Sequence, residues 1–227
     1  MFRKFLFICV LMVFSLTACT IDLNQVFNIN AVHGSGNVIT KSFEIRGVDK
    51  VRLLGAGELT IHQGEEEGLT IQAEDNVLEY MEVVVDGDTL KIGFKKNFNI
   101  IPTQGIKIDL KVKGLELIDI SGAGEVRATD IQTPKLDVIL NGGGSFVLAG
   151  KADVQNVVFN GAGNYDAGNL QSQEVVITSN GAGSATVWAV EKLSITLNGA
   201  GSLSYYGSPQ VSQTINGIGS IHHLGDR

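Results

Sequence analysis

The strongest pattern along the chain is an alternation of apolar and polar residues on both sides of a recurring glycine-rich tetrapeptide. The tetrapeptides begin at residues 121, 141, 160, 180, 198 and 216, which lie 20, 19, 20, 18 and 18 residues apart. In the third repeat Val157 and Phe159 precede the turn, and Tyr165 and Ala167 follow it. A period of two is typical of β-strands, because successive side chains point to opposite faces. Each repeat is therefore predicted to contain a strand, a tight turn, a second strand and a looser turn.

A stacked coil explains this repetition better than a helix or a hairpin meander. Each glycine would cost up to about 1 kcal/mol inside a helix. A meander of hairpins is the serious alternative, but it does not require the same residue at the same place in every repeat. A coil does, because equivalent residues stack about 4.8 Å apart. We therefore predict an all-β fold, a single-stranded β-helix or β-solenoid with glycine-turn repeats of 18–20 residues.

The turn residues have structural explanations in such a coil. Glycine tolerates positive φ and lets neighbouring coils approach closely; the predicted turn glycines are Gly122, Gly124, Gly161, Gly163, Gly181, Gly183, Gly199, Gly201, Gly217 and Gly219. Asparagine side chains in register can form a hydrogen-bonded ladder; the predicted ladder is Asn141, Asn160, Asn180, Asn198 and Asn216. We interpret both sets as structural and not as ligand sites.

The segment Ile106–Val126 (IKIDLKVKGLELIDISGAGEV) and the NGAG-type turns that follow it resemble a known family, the "putative auto-transporter adhesin, head GIN domain" proteins. The resemblance extends back to Val51–Leu59 and covers most of residues 36–223. It implies a right-handed, pectin-lyase-like β-solenoid in a bacterial envelope protein, with a role in adhesion and no catalytic residues to transfer. Ser121, Gly143 and Ile218 depart from the repeat pattern and affect only turn detail.

The first 19 residues have the pattern of an exported, lipid-anchored protein. Arg3 and Lys4 precede an apolar run of 12 residues, Phe5–Leu16, which suits a signal peptide and is too short to span a bilayer. Leu16-Thr-Ala-Cys19 resembles a lipobox, in which Cys19 would carry the lipid. An ordinary cleaved signal with a chance cysteine is the alternative. Thr20, in place of an aspartate, favours the outer membrane.

These observations divide the chain into four segments: 1–18 as lipoprotein signal peptide, 19–33 as lipidated tether, 34–115 as an irregular N-terminal solenoid half and 116–227 as the regular half. Within the irregular half we expect early turns of the repeat type at residues 34–36 and 55–57. Strands are predicted at 59–62, 69–73, 82–86 and 89–94, a hairpin at Asp86-Gly87, a short helix at 76–81 and a loop at 95–104.

Charge and cysteine content narrow the partners. The chain has 17 basic and 24 acidic residues, a net charge of -7. Loss of Arg3 and Lys4 with the signal peptide would leave 15 against 24, or -9. This sign disfavours nucleic acid. Cys9 and Cys19 would not both remain in the mature chain, so we expect no internal disulfide. The expected partners are a membrane through the lipid on Cys19, a protein or glycan, and another copy of the chain.

A search for chemistry finds no catalytic, cofactor or metal pattern. His33, His62, His222 and His223 lack metal-ligand spacing, and adjacent strand residues face opposite ways. No column of acids recurs at equivalent positions of the repeats, as a solenoid lyase or hydrolase would require. The predicted function is a non-catalytic binding or adhesion module. A structural or regulatory envelope protein is the first alternative, and a carbohydrate-active enzyme the second.

One outward feature is apolar. The alternation places Ile139, Val158 and Val176 on the outside of one sheet, close to Leu117. An exposed apolar strip would indicate a surface for a partner or for self-association. The alternative is burial beneath part of residues 36–115.

Overall fold

The computed structural model describes residues 30–227, which form an all-β fold with one helical turn. The elements are β1 (Asn30–His33), β2 (Val38–Phe43), β3 (Lys50–Gln63), β4 (Gly68–Glu74), α1 (Asp75–Leu78), β5 (Met81–Asp86), β6 (Thr89–Phe94), β7 (Phe98–Ile101), β8 (Lys107–Val112), β9 (Leu117–Phe159), β10 (Ala162–Ser179), β11 (Ala182–Leu197), β12 (Ala200–Tyr206), β13 (Gln210–Ile215) and β14 (Ile218–His223). The prediction of an all-β fold is confirmed. The predicted signal peptide, Cys19 and most of the predicted tether lie outside the described residues.

Successive repeats pair in parallel and in register. Ala182 pairs with Ala162 on one side and with Ala200 on the other, and Ala200 pairs with Ile218. Within the long strand β9 two repeats follow one another, and the Asp137 N–H donates to the Glu116 carbonyl at 2.8 Å. The offset between paired residues equals the repeat length read from the sequence, so the repeat is also the unit of stacking.

Each long strand bends and pairs through two separate segments, which gives the stack two outer faces. The segments after the glycine turn pair in the order β14-β12-β11-β10-β9-β3-β8-β4-β2, and we call their outer surface the turn-following face. The segments before the turn pair β13 with β11, and continue through β10, β9 and β3 to β6 and β5. We call their outer surface the turn-preceding face.

The apolar side chains predicted to face inward form one buried cluster along the stack. In the second repeat Val138 and Leu140 are buried before the turn, and Phe146 and Leu148 are buried after it. The predicted looser turns within β9, β10 and β11 are bends at which the strand continues, and β9 runs without interruption from Leu117 to Phe159. The last one, at residues 207–209, separates β12 from β13. Burial of alternate residues on both sides of the interior turns is the main stabilising contribution to such a stack.

The regular stack starts earlier in the chain than residue 116. Gly55 pairs with Gly122, and β3 runs parallel to β9 from Lys50 to His62. The turn at residues 55–57 is therefore stacked on the later turns, as predicted. The segment Gly34–Gly36 instead connects β1 to β2, so the prediction of a repeat-type turn there was wrong. Residues 64–115 lie between β3 and β9 in sequence. They supply β6 and β8, which pair in parallel with the other edge of β3.

Antiparallel strands close this N-terminal end of the stack. β5 and β6 form the hairpin predicted at Asp86-Gly87, while β4 pairs with β8 and β2 pairs with β4. The predicted loop at 95–104 contains β7, which pairs with β1, so the fold already includes Asn30–His33 of the predicted tether. The predicted helix at 76–81 is the single turn α1 at Asp75–Leu78.

The Glu74 carboxylate fastens the β1–β7 pair to this cap. Glu74 is 1 % exposed, and it accepts hydrogen bonds from the Gly36 N–H at 2.7 Å and the Thr103 N–H at 2.9 Å. The Thr103 hydroxyl donates to the same carboxylate at 2.5 Å, and the Gln104 N–H at 3.3 Å. The hydrogen bond from Thr103 is the main reason why the pKa of Glu74 lies below its ordinary value. Four donors thus satisfy a buried charge, as burial requires.

Candidate functional site

The glycine columns bring neighbouring turns closer than any side chain would permit. A Cβ at Gly181 would overlap the carbonyl oxygen of Gly161, and a Cβ at Gly183 would overlap that of Gly163. The same overlap recurs in both columns up to Gly217 and Gly219. Close approach is therefore the common requirement. Positive φ is not, because it occurs at Gly183 and is not found at Gly181.

The five asparagines lie in single file along the turn edge. The side-chain amide of Asn160 donates to the side-chain oxygen of Asn141 at 2.7 Å, and the bonds continue through Asn180, Asn198 and Asn216 at 2.8, 2.7 and 2.9 Å. All five side chains are exposed. Each interior member uses one donor and one acceptor in the ladder, which holds the turn edge in register.

The structure does not bring the three residues of the apolar strip into one file. Val158 pairs with Thr178, whereas Val176 pairs with Asn156, so the two valines lie in neighbouring columns. The side-chain amide of Asn156 donates to Asp137 at 2.9 Å beside them. Val176 is 42 % exposed, and Ile139 and Val158 are half-buried. Among the described residues, the strip is a small diagonal patch on the turn-preceding face, interrupted by polar groups.

The turn-following face is the longer and more polar surface. Its outward side chains from the N-terminal cap to the last strand are Thr40, Gln72, Lys107, Glu58, Glu125, Ser145, Asn164, Ser184, Ser202 and Ser220 in one column, with Ser42, Thr70, Asp109, Thr60, Arg127, Val147, Asp166, Thr186, Ser204 and His222 beside it. Charged groups occupy the cap end, and hydroxyl and amide groups occupy the other end. A shallow depression of about 310 Å³ lies at the cap end, between Thr40 and Asp109.

Several charged groups of this face are paired with one another. The His62 ring lies 3.2 Å from the Asp109 carboxylate, and Lys111 forms an ion pair of 2.7 Å with Glu66. The hydrogen bond from Lys111 lowers the pKa of Glu66 below its ordinary value. Arg127 forms a further ion pair with Glu125. These pairs leave the face electrically mixed, without a field of one sign to attract a polyanion.

An aromatic pair borders the hydroxyl-rich end of the turn-following face. Trp188 pairs with Tyr206 in the strand register, and both rings are half-buried. The guanidinium of Arg227 lies 4.0 Å from the Tyr206 ring centroid and 6.0 Å from that of Trp188. Sequence reasoning missed this group, although the alternation that buries Val187 also directs its neighbour Trp188 outward. Trp188 is the only tryptophan of the chain.

The histidines and buried polar groups do not form a reaction centre in residues 30–227. His222 contacts the Ser220 hydroxyl at 2.9 Å, and His223 contacts the Gly207 carbonyl at 2.7 Å. Within those residues no cluster of three metal-ligating side chains occurs. Inside the core the Gln155 amide donates to the Tyr165 hydroxyl at 2.5 Å, and burial raises the pKa of Tyr165. In the part of the chain that the structure describes, no helix is long and apolar enough to cross a bilayer.

A stacked all-β repeat with two long, regular faces defines the class of fold, and the comparisons with known proteins specify the family. The family model described as "putative auto-transporter adhesin, head GIN domain" matches residues 47–209. The chain belongs to this family. The matched region begins just before β3 and ends just before β13, so it includes the stack as far as β12 and most of the N-terminal cap.

One solved structure supports the same assignment, and a second has the same fold. A crystal structure of a "putative adhesin" from Bacteroides fragilis has a TM-score of 0.72 and 25 % sequence identity, covering 85 % of this chain and 100 % of that one. A "putative lipid binding protein" from Parabacteroides distasonis has a TM-score of 0.51 and 23 % identity, covering 86 % and 100 %. The second likeness concerns the fold alone. Among curated proteins no match to this sequence was found.

Proposed function

We propose that this protein is a non-catalytic adhesion module of the bacterial cell envelope, and that it binds its partner along the turn-following face. The observation that supports this most is the continuity of that face, which extends from β2 to β14 in one uninterrupted pairing order. Membership of the adhesin family and the likeness to an adhesin from Bacteroides fragilis favour the same role. A rigid, repetitive surface suits an extended partner better than a small molecule.

The architecture proposed for this module is a right-handed, single-stranded β-solenoid in which each repeat is one coil. Parallel pairing at offsets of 18–20 residues between successive repeats supports this. Right-handed crossovers between parallel strands are strongly preferred, because strands and their connections twist in that sense. A crystal structure would test the handedness directly, and a left-handed winding would contradict it.

The chemistry of the hydroxyl-rich end favours a glycan as the extended partner. Ser184, Ser202 and Ser220 repeat at the spacing of paired strands, about 4.8 Å. Such rows offer donors and acceptors at regular intervals to a chain of sugar hydroxyls. Trp188 and Tyr206 add apolar ring surface at the border of the rows, and aromatic side chains often provide such amphipathic contacts.

Intrinsic fluorescence would test this proposal, because Trp188 is a single reporter at the proposed site. The full-length protein would be titrated with soluble envelope and host polysaccharides, and the expected result is a saturable change in emission. β11 offers a matched pair of variants: Thr186 lies on the turn-following face and Thr196 on the opposite face, both half-buried. Thr186→Lys is expected to weaken binding at least tenfold, and Thr196→Lys to leave it unchanged.

Three outcomes would count against the proposal. If no polysaccharide bound, the glycan would be excluded as the partner. Equal loss in both variants would mean that the turn-following face is not the site. Release of shortened products, detected by mass spectrometry after long incubation, would show that the protein is an enzyme and not a simple adhesin.

The membrane attachment that we propose is a lipid on Cys19, after removal of residues 1–18 as a signal peptide, with a short tether leading into β1. The apolar run and the Leu16-Thr-Ala-Cys19 sequence support it. Wild-type protein should incorporate radioactive palmitate and fractionate with outer membranes, and Cys19→Ser should do neither. Labelling of Cys19→Ser at the wild-type level would contradict the proposal. Protease treatment of intact cells would then separate surface display from a periplasmic location.

A further inference from the structure

The two ends of the stack differ in the strands that cover them and in the charge of those strands. At the N-terminal end, antiparallel strands cover the parallel coils, and the edge strands β2 and β5 carry Lys41, Glu82 and Asp86. Charged residues on edge strands are a common protection against edge-to-edge pairing. At the other end, β13 and β14 form an edge with no further strand paired to it within residues 30–227. Among residues 30–227, charged side chains on the edge strands therefore distinguish the N-terminal end from the other end.

The open end retains the residue pattern of the buried core. Val211 pairs with the buried Leu193, Ile215 with Leu197 and Ile221 with Leu203. Yet Val211 is 40 % exposed and Ile215 43 % exposed, because no further coil covers them. Ile218, which occupies the alanine position of the turn, is 84 % exposed. The end of the molecule is thus an uncovered cross-section of its core.

The two edge strands at this end, β13 and β14, carry no formal charge, and Asp226 lies beside Ser208 at their border. Residues 193–225 contain no aspartate, glutamate, lysine or arginine, in a chain whose net charge is -7. Two copies can therefore approach through this end without the repulsion that their net charge would cause elsewhere. The side chain of Arg227 does not lie over this end, because its guanidinium contacts the Gly168 carbonyl, three repeats earlier in the stack.

The main chain of the edge is also ready to pair. The Asn216 N–H donates to the Leu197 carbonyl at 2.8 Å, toward the coil below. Because alternate residues of a strand direct their main-chain groups to opposite sides, residues 211, 213 and 215 direct theirs to the open edge. A second polypeptide edge would satisfy these donors and acceptors.

We propose that the open end binds the open end of a second copy of this chain, in a two-fold symmetric dimer. A two-fold axis perpendicular to the stack sets the edge strands antiparallel, which is a stable form of pairing. The charged, antiparallel N-terminal cap disfavours the head-to-tail alternative, so the assembly closes at two copies. Each strand is six residues long, about 20 Å, and a footprint of roughly 20 Å by 20 Å on each copy, about 800 Å² in total, is that of a weak and transient interface.

The arrangement has a consequence for adhesion, which rests on the membrane attachment proposed above. The first described residues belong to the cap end, where β1 pairs with β7, and the paired edges are at the opposite end. In an end-to-end dimer the two N-termini therefore point away from each other. With a lipid on each N-terminal segment, the dimer would connect two membranes, so that cells carrying the protein would adhere to one another.

Sedimentation equilibrium of the full chain in density-matched non-ionic detergent tests the dimer independently of that consequence. We expect a concentration-dependent dimer between roughly 5 μM and 500 μM, since an interface of this size binds weakly. Val211→Lys at the open end and Val38→Lys at the cap are a matched pair, each replacing a valine that is 40 % exposed. Val211→Lys should weaken dimerisation at least tenfold, and Val38→Lys should leave it unchanged.

A second pair of variants separates edge pairing from a folding defect. Gln213→Pro removes an N–H that faces the open edge and keeps the bonds to the coil below, whereas Gln213→Ala removes only the side chain. Loss of the dimer in the proline variant alone supports strand pairing. A wild-type monomer at all concentrations, an open-ended series of larger species, or a Val211→Lys dimer of unchanged strength would each overturn the proposed interface.

Aggregation of vesicles that carry the lipidated protein tests the bridging consequence. Turbidity should rise with wild type and with Val38→Lys, and should not rise with Val211→Lys. A dimer in detergent without vesicle aggregation would preserve the interface and overturn the bridge between membranes.

Discussion

At the scale of single residues, the turn glycines set the distance between coils. Gly161 and Gly181 stand in the first glycine column, where each Cα faces a carbonyl oxygen of the turn below. The parallel ladder fixes the coil spacing at about 4.8 Å, and a tight turn at that spacing leaves no volume for a methyl group. The sequence requirement is therefore steric, and it is the same at every repeat.

Gly181→Ala should destabilise the protein by at least about 3 kcal/mol, because the added Cβ overlaps the Gly161 carbonyl oxygen and the backbone of two coils must separate. Gly105→Ala is the control, since a Cβ at that exposed position meets no atom within 4 Å. Urea denaturation followed by circular dichroism measures both. Equal midpoints for the two variants would contradict close packing of the turns.

The asparagine ladder predicts a graded loss of stability. Asn180 donates to Asn160 and accepts from Asn198, whereas the terminal Asn141 only accepts. At about 0.5–1 kcal/mol for each exposed hydrogen bond, Asn180→Ala should cost about 1–2 kcal/mol, and Asn141→Ala about half of that. The same urea experiment measures the difference. Unchanged stability of Asn180→Ala would show that the ladder does not contribute to the free energy of unfolding. The asparagine edge would then have to be considered as a binding site.

At the scale of elements, the N-terminal cap depends on a polar contact and not on repetition. β1 and β7 form a separate two-stranded sheet, and Glu74 joins them to the end of β4 through Gly36, Thr103 and Gln104. Because an ionised carboxylate accepts these hydrogen bonds more strongly than the protonated acid does, the cap should respond to acid before the stack does.

The sign of that response follows from the lowered pKa of Glu74. Its folded-state pKa lies below the ordinary 4.5, so the stabilisation is complete above about pH 4.5 and is lost as the pH falls through the folded value. Glu74→Gln should lower the urea midpoint at pH 7, and should show a smaller further decrease at pH 3.5 than wild type. Glu65→Gln, at an exposed turn, is the control. An unaltered acid response in Glu74→Gln would exclude this carboxylate as the acid-sensitive contact.

The elements differ in how far the sequence predicts them. The alternation and the spaced glycines predict β9 to β14, because each repeat carries its own inward residues and its own turn. The β5–β6 hairpin is equally local. The pairing of β3 with β9, and of β6 and β8 with the other edge of β3, brings together residues more than 35 positions apart. No local pattern encodes that pairing, and β7 was missed because its partner β1 lies in the segment predicted as tether.

The candidate surfaces also combine features that local alternation predicts with features that depend on long-range pairing. Alternation predicts which side chains point outward, and thus the polar columns and the outward position of Val176. It does not predict lateral neighbours, which depend on register. Val158 and Val176 therefore lie in adjacent columns instead of one file. The contact of Arg227 with Trp188 and Tyr206 depends on the path of the last residues, which the repeat does not specify.

At the scale of the whole molecule, each coil should make its own contribution to the free energy of folding. Each coil of the regular part contacts mainly the coils above and below it, so that the free energy of folding is approximately a sum of nearest-neighbour terms. Ser179 precedes Asn180 just as Leu197 precedes Asn198, and the two asparagines are joined by a hydrogen bond of 2.7 Å. Removal of residues 180–197 would therefore connect equivalent points of adjacent coils.

We expect the chain without residues 180–197 to fold with the same strand content per residue as wild type, because Gly199 and Asn198 can stack on Gly161 and Asn160 as Gly181 and Asn180 do now. Circular dichroism and a cooperative urea transition would show this. Deletion of residues 180–188 is the control, since it removes half a coil and places inward side chains outside the stack. That variant should not fold. If both deletions abolished folding, the repeats would not be independent coils, and the β-solenoid proposed for this protein would be wrong.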